Sequence, residues 1–471
     1  MTFVPMRARA LGTQPKTLFV NDSGRFFAGS DAFVERLLQN EPSDAEFAFL
    51  RSEGHWLDDD DALGRAAHSR SVARRFTIAG PLDYLILVPT LRCNLSCSYC
   101  QVSRVNAEQQ GFDWSEETLA AVLHCLDQLP AERIKIEFQG GEATLRPDLI
   151  RAVMERTSRF RERQFVICTN LQSIDDEVLA IFDCPEVFIS TSLDGDSATH
   201  HRNRTHHSEK TDQFFYNLRF IVDRYGPRKV SALPTIDSSA PPAVDDIIDA
   251  YLEYGLDSIF LRPINYQGFA RKRHKSSREQ GAQWRAYYES FVRRIIERNW
   301  EDRDRVFEET YLSIGLRRIF RPGVERHVDL RNPNLAGHDY IVIDYDGTIY
   351  PTDEARMLAR SGVVDLAIGT VQDGWDSETR TLLNQHATNQ FDPDCQKCVY
   401  QPFCGRDIVD DLARYGRIGL PRHETEFCRR HMHLFDFIFE LIYSDCPKIR
   451  YSIGRWLRLP TTPLAIGQII P

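Results

Sequence analysis

The sequence has no long apolar run. Nowhere do roughly 18 uncharged apolar residues follow one another, the length a bilayer-spanning helix requires, so no membrane span is expected. An excess of positive charge is also absent, with 58 Lys and Arg against 68 Asp and Glu. The net charge is −10, which argues against a general nucleic-acid binder and leaves only local basic patches open. Internal repeats and low-complexity tracts are missing. Residues 1–16 carry basic side chains with no apolar stretch behind them, so they are not read as a secretory signal, and the expected location is the cytoplasm. That sets aside a disulfide framework for the 11 cysteines, because thiols stay reduced there.

What is present is the balance of a globular protein. Hydrophobic residues make up 42% and charged residues 27% of 471 positions, a length that suits two or three domains. From residue 82 to about 263, short apolar runs alternate with amphipathic ones. Residues 85–88, 134–138, 165–169, 187–193, 230–233 and 258–261 read as strands. Residues 115–126 place Leu119, Val122, Leu123 and Leu126 on one helical face, with Asp113 and Glu116 as a capping pair. A further helix covers 244–254, entered after Pro242 and closed by Gly255. Strands separated by helices imply an α/β fold with a parallel sheet, and six of them suit an open, partial (β/α)6 barrel. In such folds the chemistry gathers just after the strands.

Residues 1–80 read as a separate small module: a hairpin from 17–20 and 26–28 joined by Asp22-Ser-Gly24, then short helices at 33–38 and 45–50. The barrel core is expected over 81–310, with a charged helical stretch at 273–305. A cysteine-containing region follows over 311–450, and 451–471 forms an apolar tail.

Seven cysteines fall into two sets with ligand-like spacing. Cys125, Cys168, Cys184 and Cys446 are scattered and read as small core hydrophobes. Cys93-Asn-Leu-Ser-Cys97-Ser-Tyr-Cys100 follows the first strand. A structural zinc needs four ligands, and no fourth Cys or His stands close by. Three thiolates suit a [4Fe–4S] cluster in which one iron is left open to a small molecule. Cys395-Gln-Lys-Cys398, Cys404 and Cys428 form the second set. Four thiolates suit either a zinc ion or a [4Fe–4S] cluster, and spacing alone does not choose.

Cys-x3-Cys-x2-Cys after a first strand, with Tyr99 before the last Cys, resembles the radical S-adenosylmethionine (SAM) superfamily. The resemblance implies that Cys93, Cys97 and Cys100 hold a cluster whose open iron chelates SAM. One electron then releases a 5′-deoxyadenosyl radical. Gly140-Gly141-Glu142 after the second strand resembles the family's motif for the SAM amino group. Asn170 follows the third strand. Ser192-Leu-Asp194-Gly195, running on through His200 to Arg204, resembles the segment of peptide-modifying members in which Ser192 and Arg204 contact the SAM ribose and carboxylate. Asp194 and His200 either join that pocket or shape its loop. Arg262, at the end of the last strand, is a further candidate.

The C-terminal set resembles the SPASM domain of such enzymes, which usually holds two auxiliary clusters. Cys395, Cys398, Cys404 and Cys428 match the outer one. The inner one departs from the pattern. Its hairpin survives over 340–351, but Thr352 and Ile408 stand where ligands belong, and residues 332–337 contain no Cys. One auxiliary [4Fe–4S] cluster is therefore expected. Asp353 stands where some relatives keep a base, and is otherwise a hairpin side chain facing water.

The implied function is a maturase that modifies, and most simply crosslinks, side chains of a ribosomally made precursor peptide. Formylglycine formation on a protein, or a non-catalytic peptide-binding scaffold, are the alternatives. A narrower resemblance, on residues 97–104 and 350–356, is to the His-Xaa-Ser system maturases. It implies a peptide with His-Xaa-Ser repeats and a second radical SAM protein beside this one. An electron donor such as flavodoxin or ferredoxin is implied by the chemistry. Residues 17–55 are read either as a reduced leader-peptide grip working by strand addition or as a cap on the barrel.

Overall fold

The computed structural model describes residues 2–12, 14–58, 60–76, 80–279, 281–323, 327 and 330–470. Its centre is an eight-stranded sheet: β1 (Tyr84–Leu87), β2 (Arg133–Phe138), β3 (Glu162–Cys168), β4 (Val187–Ser192), β5 (Val230–Leu233), β6 (Tyr340–Ile343), β7 (Thr348–Tyr350) and β8 (Gly369–Thr370). The spatial order is β5-β4-β3-β2-β1-β6-β7-β8. Strands β1 to β5 run parallel, as their separation by helices implied. The hairpin was legible, but its docking was not: β6 pairs parallel with β1, so the C-terminal region continues the barrel sheet.

Helices Glu116–Gln128, Pro147–Arg156, Asp176–Phe182, Ser208–Tyr225 and Val244–Glu253 connect the strands. In β2, Ile134, Ile136 and Phe138 are buried, while Lys135 and Glu137, on the other face, are only half-buried. Period-two alternation therefore separates a packed face from one that lines a cavity.

Three expectations need correction. The sixth strand is broken. Ser258–Ile259 pairs with Glu308–Glu309, whereas Arg262–Pro263 pairs with Thr235–Ile236. Pro234 has no N–H to give a ladder, so β5 stops there and the pairing resumes one residue later. The helix Glu116–Gln128 is capped by Ser115, whose Oγ accepts from Thr118 N at 3.1 Å. Asp113 binds Arg92 at 2.8 Å and Arg146 at 3.0 Å instead. Cys125 is buried as expected, but Cys168 lines a polar cavity.

The N-terminal module holds more than a hairpin. Strands Met6–Ala10, Thr17–Asn21 and Phe26–Gly29 form an antiparallel sheet, followed by helices Asp31–Gln39, Asp44–Ser52 and Ala62–Ala73. Ser43 and Glu46 make a capping box at the second helix. Phe19, Phe27, Phe33 and Leu50 form a core that Ile470 joins. Ala28 N donates to Gln468 O, and Ile470 N to Ala28 O, both at 3.0 Å, so the tail takes the free edge of Phe26–Gly29. The first strand escaped notice because Arg7 and Arg9 read as a basic terminus. They lie on its partly covered face, bound to Asp22 and Asp436, while Ala8 and Ala10 are the exposed residues. No helix among the described residues is long and apolar enough to cross a membrane.

Candidate functional site

The chain leaves β1 through Arg92–Cys93, which pairs with Val105–Asn106 and closes residues 94–104 into a loop. Hydrogen bonds hold that loop from several sides. Ser98 N donates to Asn203 O, Lys210 Nζ to Asn94 O and Asn170 Nδ2 to Asn94 Oδ1, each at 2.8 Å. Cys93, Cys97 and Cys100 thereby line one cavity of about 400 Å³. Burial pushes the Cys93 thiol up to about 12 and raises Cys97 as well. Thiols held that high act as ligands where a cation replaces the proton, which is what the irons of a cluster do. Cys168 lines the same cavity but turns its Sγ to Glu137 Oε1 at 3.4 Å and stays outside the set.

Tyr99, Gly140, Gly141, Glu142, Asn170, Ser192, Arg204, Arg262 and Asp353 all line this cavity. The glycines answer first to the cysteine loop. A Cβ on Gly140, whose φ is +130°, would sit 2.2 Å from Thr90 O, and one on Gly141 would sit 2.2 Å from Arg92 O. That close approach lets Glu142 N donate to Arg92 O at 2.8 Å. Glu142 is buried and accepts from Asn170 N and Thr144 Oγ1, each at 2.7 Å. Burial raises its carboxyl against the pull of those donors.

Below the loop lies a buried relay. Tyr99 donates to Asp194 Oδ2 at 2.5 Å, and Arg204 Nη1 donates to Tyr99 Oη at 2.9 Å. Asp194 also accepts from Thr235 N at 3.1 Å and Asn203 Nδ2 at 3.3 Å. Asp194 therefore shapes the pocket through Tyr99. His200 does not reach the cavity. It stacks on Phe214 with ring centroids 3.9 Å apart, and burial keeps it neutral. Arg262 is exposed, with its guanidinium over the Phe260 ring. Asp353 is the first residue of helix Asp353–Arg360 and accepts from the fully buried Arg356 at 2.7 Å.

Sequence reasoning missed Tyr84, Glu137, Gln139 and Cys168 in the same lining. The signal for Glu137 was present in the alternation of β2, which puts it on the face opposite Ile136 and Phe138.

Cys395, Cys398, Cys404 and Cys428 line a second cavity of about 650 Å³. Asp392 caps the turn that carries Cys395, and Thr425 caps helix Glu426–Ile442 three residues before Cys428. Burial pushes Cys395 up to about 12 and Cys428 to about 11. The thiols stand round the cavity. Among the described residues no three His, Cys, Asp or Glu side chains converge on one ion. The N-terminal module reaches this site: Arg7 Nε donates to Gln396 O at 2.6 Å, and Arg9 pairs with Asp436, which also accepts from Tyr400. Thr352 and Ile408 line a pocket of only about 40 Å³, room for a few waters. Thr352 Oγ1 caps its helix by accepting from Ala355 N at 3.0 Å.

Residues 87–237 match the model of the radical SAM superfamily. An uncharacterized protein of Methanocaldococcus jannaschii is 28% identical over 117 residues, covering 24% of this chain and 39% of that protein. One of Methanothermobacter thermautotrophicus is 27% identical over 180 residues, 37% of this chain and 65% of that protein. The chain thus spans less than two thirds of either relative. Among solved structures, anSMEcpe with bound AdoMet and the Cp18Cys peptide superposes with a TM-score of 0.59 at 17% identity, over 76% of this chain and 97% of that one. Streptococcus suis SuiB bound to precursor peptide SuiA gives 0.50 at 14% identity, over 88% and 96%. At these identities the likeness is one of fold. The cavity lies at the strand ends, and the segment that matches the radical SAM superfamily model covers its three cysteines.

Proposed function

We propose that the protein is a radical SAM peptide maturase that modifies, most simply by crosslinking, side chains of a ribosomally made precursor. The observation that carries this reading is a single cavity lined by Cys93, Cys97 and Cys100 together with Glu142, Asn170, Ser192, Arg204 and Arg262. A [4Fe–4S] cluster and SAM, when bound there, supply one-electron chemistry that yields a 5′-deoxyadenosyl radical. The chain's own part is to hold and exclude. The three thiolates hold the cluster, and Asn170 Nδ2, 3.7 Å from Cys93 Sγ, lends one of them a hydrogen bond. Glu142 offers a buried carboxylate to an ammonium group, and Ser192, Arg204 and Arg262 offer donors to a ribose and a carboxylate. Asp353, with Arg356 behind it, is placed to take a proton from substrate.

Cys395, Cys398, Cys404 and Cys428 hold one auxiliary cluster in a SPASM-like domain. The choice of a cluster over a zinc ion rests on the resemblance to the SPASM domain, because four thiolates round one cavity suit either. The small pocket at Thr352 and Ile408 supports the loss of the inner cluster. The peptide class rests on solved structures of the same fold that contain peptides, and on the resemblance to His-Xaa-Ser system maturases.

Anaerobic reconstitution tests the reading. It expects about eight irons per chain, 5′-deoxyadenosine from SAM and a strong reductant, and a loss of two hydrogens per crosslink in a His-Xaa-Ser precursor. A reactive aldehyde in place of that mass change would point to formylglycine formation. Fully loaded protein that makes no 5′-deoxyadenosine would sink the enzyme reading. Cys428→Ser should lower iron by about four while leaving 5′-deoxyadenosine formation measurable, by iron assay beside product assay.

The N-terminal module is the proposed grip for the leader. One edge of its sheet faces the auxiliary site, and the tail covers the other with two hydrogen bonds and Ile470. Burying one Ile is worth about 2 kcal/mol, weak enough to be displaced by a longer strand. Removing 459–471 should tighten binding of a fluorescent precursor about tenfold or more in an anisotropy titration. Unchanged affinity would take the leader off that edge.

A further inference from the structure

The floor of the barrel cavity carries a carboxylate that none of the roles above uses. Glu137 lies on β2 between Ile86 of β1 and Val166 of β3 in the sheet register, one row below Cys168 and Ser190. Its neighbours are neutral donors. Tyr84 Oη donates to Oε2 at 2.7 Å, and Gln139 Nε2 donates to Oε1 at 2.6 Å, where the Cys168 thiol also points from 3.4 Å. An ionised carboxylate has about four acceptor sites, so one remains, on Oε2.

Charge is the deciding quantity. Asp353, across the same cavity, already has Arg356 as its counter-charge. Glu137 has no ion pair among the described residues. Lys135, two residues back on the same face, lays its ammonium over the Tyr84 ring, 4.3 Å from the centroid. Arg204 is committed to Tyr99. The cofactors do not change the balance. A [4Fe–4S]2+ cluster on three thiolates carries −1 and SAM carries +1, so together they bring no net charge, and the other cations lining the cavity, Arg104 and Arg262, lie on Asn106 and over the Phe260 ring. A half-buried carboxylate, fixed by three donors and flanked by aliphatic side chains, keeps one acceptor site open to the cavity, where a cationic partner would complete it.

We propose that Glu137, held in place by Tyr84, Gln139 and Cys168, is the specificity-determining residue of the barrel, binding a cationic side chain of the substrate, an ammonium or an imidazolium. The proposal rests on the reading of this cavity as the substrate site of a radical SAM enzyme and adds the chemical class that it accepts.

The test uses reconstituted holoenzyme with SAM and no reductant, so that nothing turns over. Equilibrium dialysis compares three probes with blocked termini: N-acetyl-lysine methylamide, N-acetyl-histidine methylamide below pH 6, and N-acetyl-norleucine methylamide. A charge-assisted hydrogen bond of this kind is expected to give the Lys or His probe about a 10- to 100-fold preference over norleucine. Glu137→Gln should erase the preference. No preference in the wild type, or one that survives Glu137→Gln, overturns the proposal. Iron content and 5′-deoxyadenosine formation, measured on the same samples, report on the enzyme reading independently. A catalytically silent wild type that still prefers cations would sink the enzyme reading, with it the role in substrate choice, and leave only a cation site at Glu137.

Discussion

Cys97→Ala should abolish 5′-deoxyadenosine formation, by a thousandfold or more, and remove about four irons per reconstituted chain. Cys97 and Cys100 stand in a turn closed by Cys100 N donating to Cys97 O, and Ser98 N ties that turn to Asn203 O. The loop's shape thus depends on backbone bonds, and the variant keeps them. What it loses is one of three donors, and a cluster that already lacks a fourth protein ligand does not survive on two. Far-UV circular dichroism should stay unchanged while product disappears. The contrast with Cys428→Ser is diagnostic, because each removes about four irons but only Cys97→Ala should end SAM cleavage. Substantial 5′-deoxyadenosine from Cys97→Ala would remove the ground on which the function is proposed.

The parts of the fold that the sequence revealed are those where local pattern and tertiary placement agree. The strands β2, β3 and β4 show alternating or continuous apolar runs; β2 and β3 are followed by residues that line the cavity, and β4 lines it with its own last three residues. The two cysteine sets could be grouped from spacing because residues a few positions apart in one loop stay close in space, and each set lines one cavity, with Cys428 brought in by tertiary packing. What escaped was set by contacts between distant segments. Nothing in 340–343 announces that it will pair with 84–87, since an apolar run of four fits either edge of a sheet. The strand Met6–Ala10 hid behind its arginines, whose acids lie as far away as Asp436. Cys168 looked like a core residue because its hydrogen-bond partner, Glu137, is 31 positions earlier. His200 and Asp194, left open together, separate only through packing: the first has an aromatic face against it and the second a hydroxyl.

Asp194→Ala should be the most damaging change away from the cysteines, lowering the apparent melting temperature of the anaerobic protein by roughly 10 °C. Arg204 is held inside the barrel, and its nearest compensations are Asp194, through Tyr99, and the Cys97 sulfur. Burial raises the Asp194 carboxyl, while Arg204, Tyr99 and the Thr235 amide pull it back towards ionisation. Deleting the carboxylate takes the nearest carboxylate from the half-buried Arg204, leaves Tyr99 Oη without its acceptor, and frees Thr235 N. Removing one partner of a buried charged pair costs about 3–5 kcal/mol. For a domain of this size a kilocalorie moves the midpoint by about 2–4 °C, which gives the expected shift. Tyr99→Phe should fall by less, because it keeps both charges and loses only the bridging hydroxyl. The double variant Asp194→Ala, Arg204→Met should recover more than half of the loss, since an apolar replacement for a buried pair is often close to neutral. A melting point within about 2 °C of the wild type for Asp194→Ala would show that water reaches Arg204, and that the relay orients the pocket without holding the barrel together.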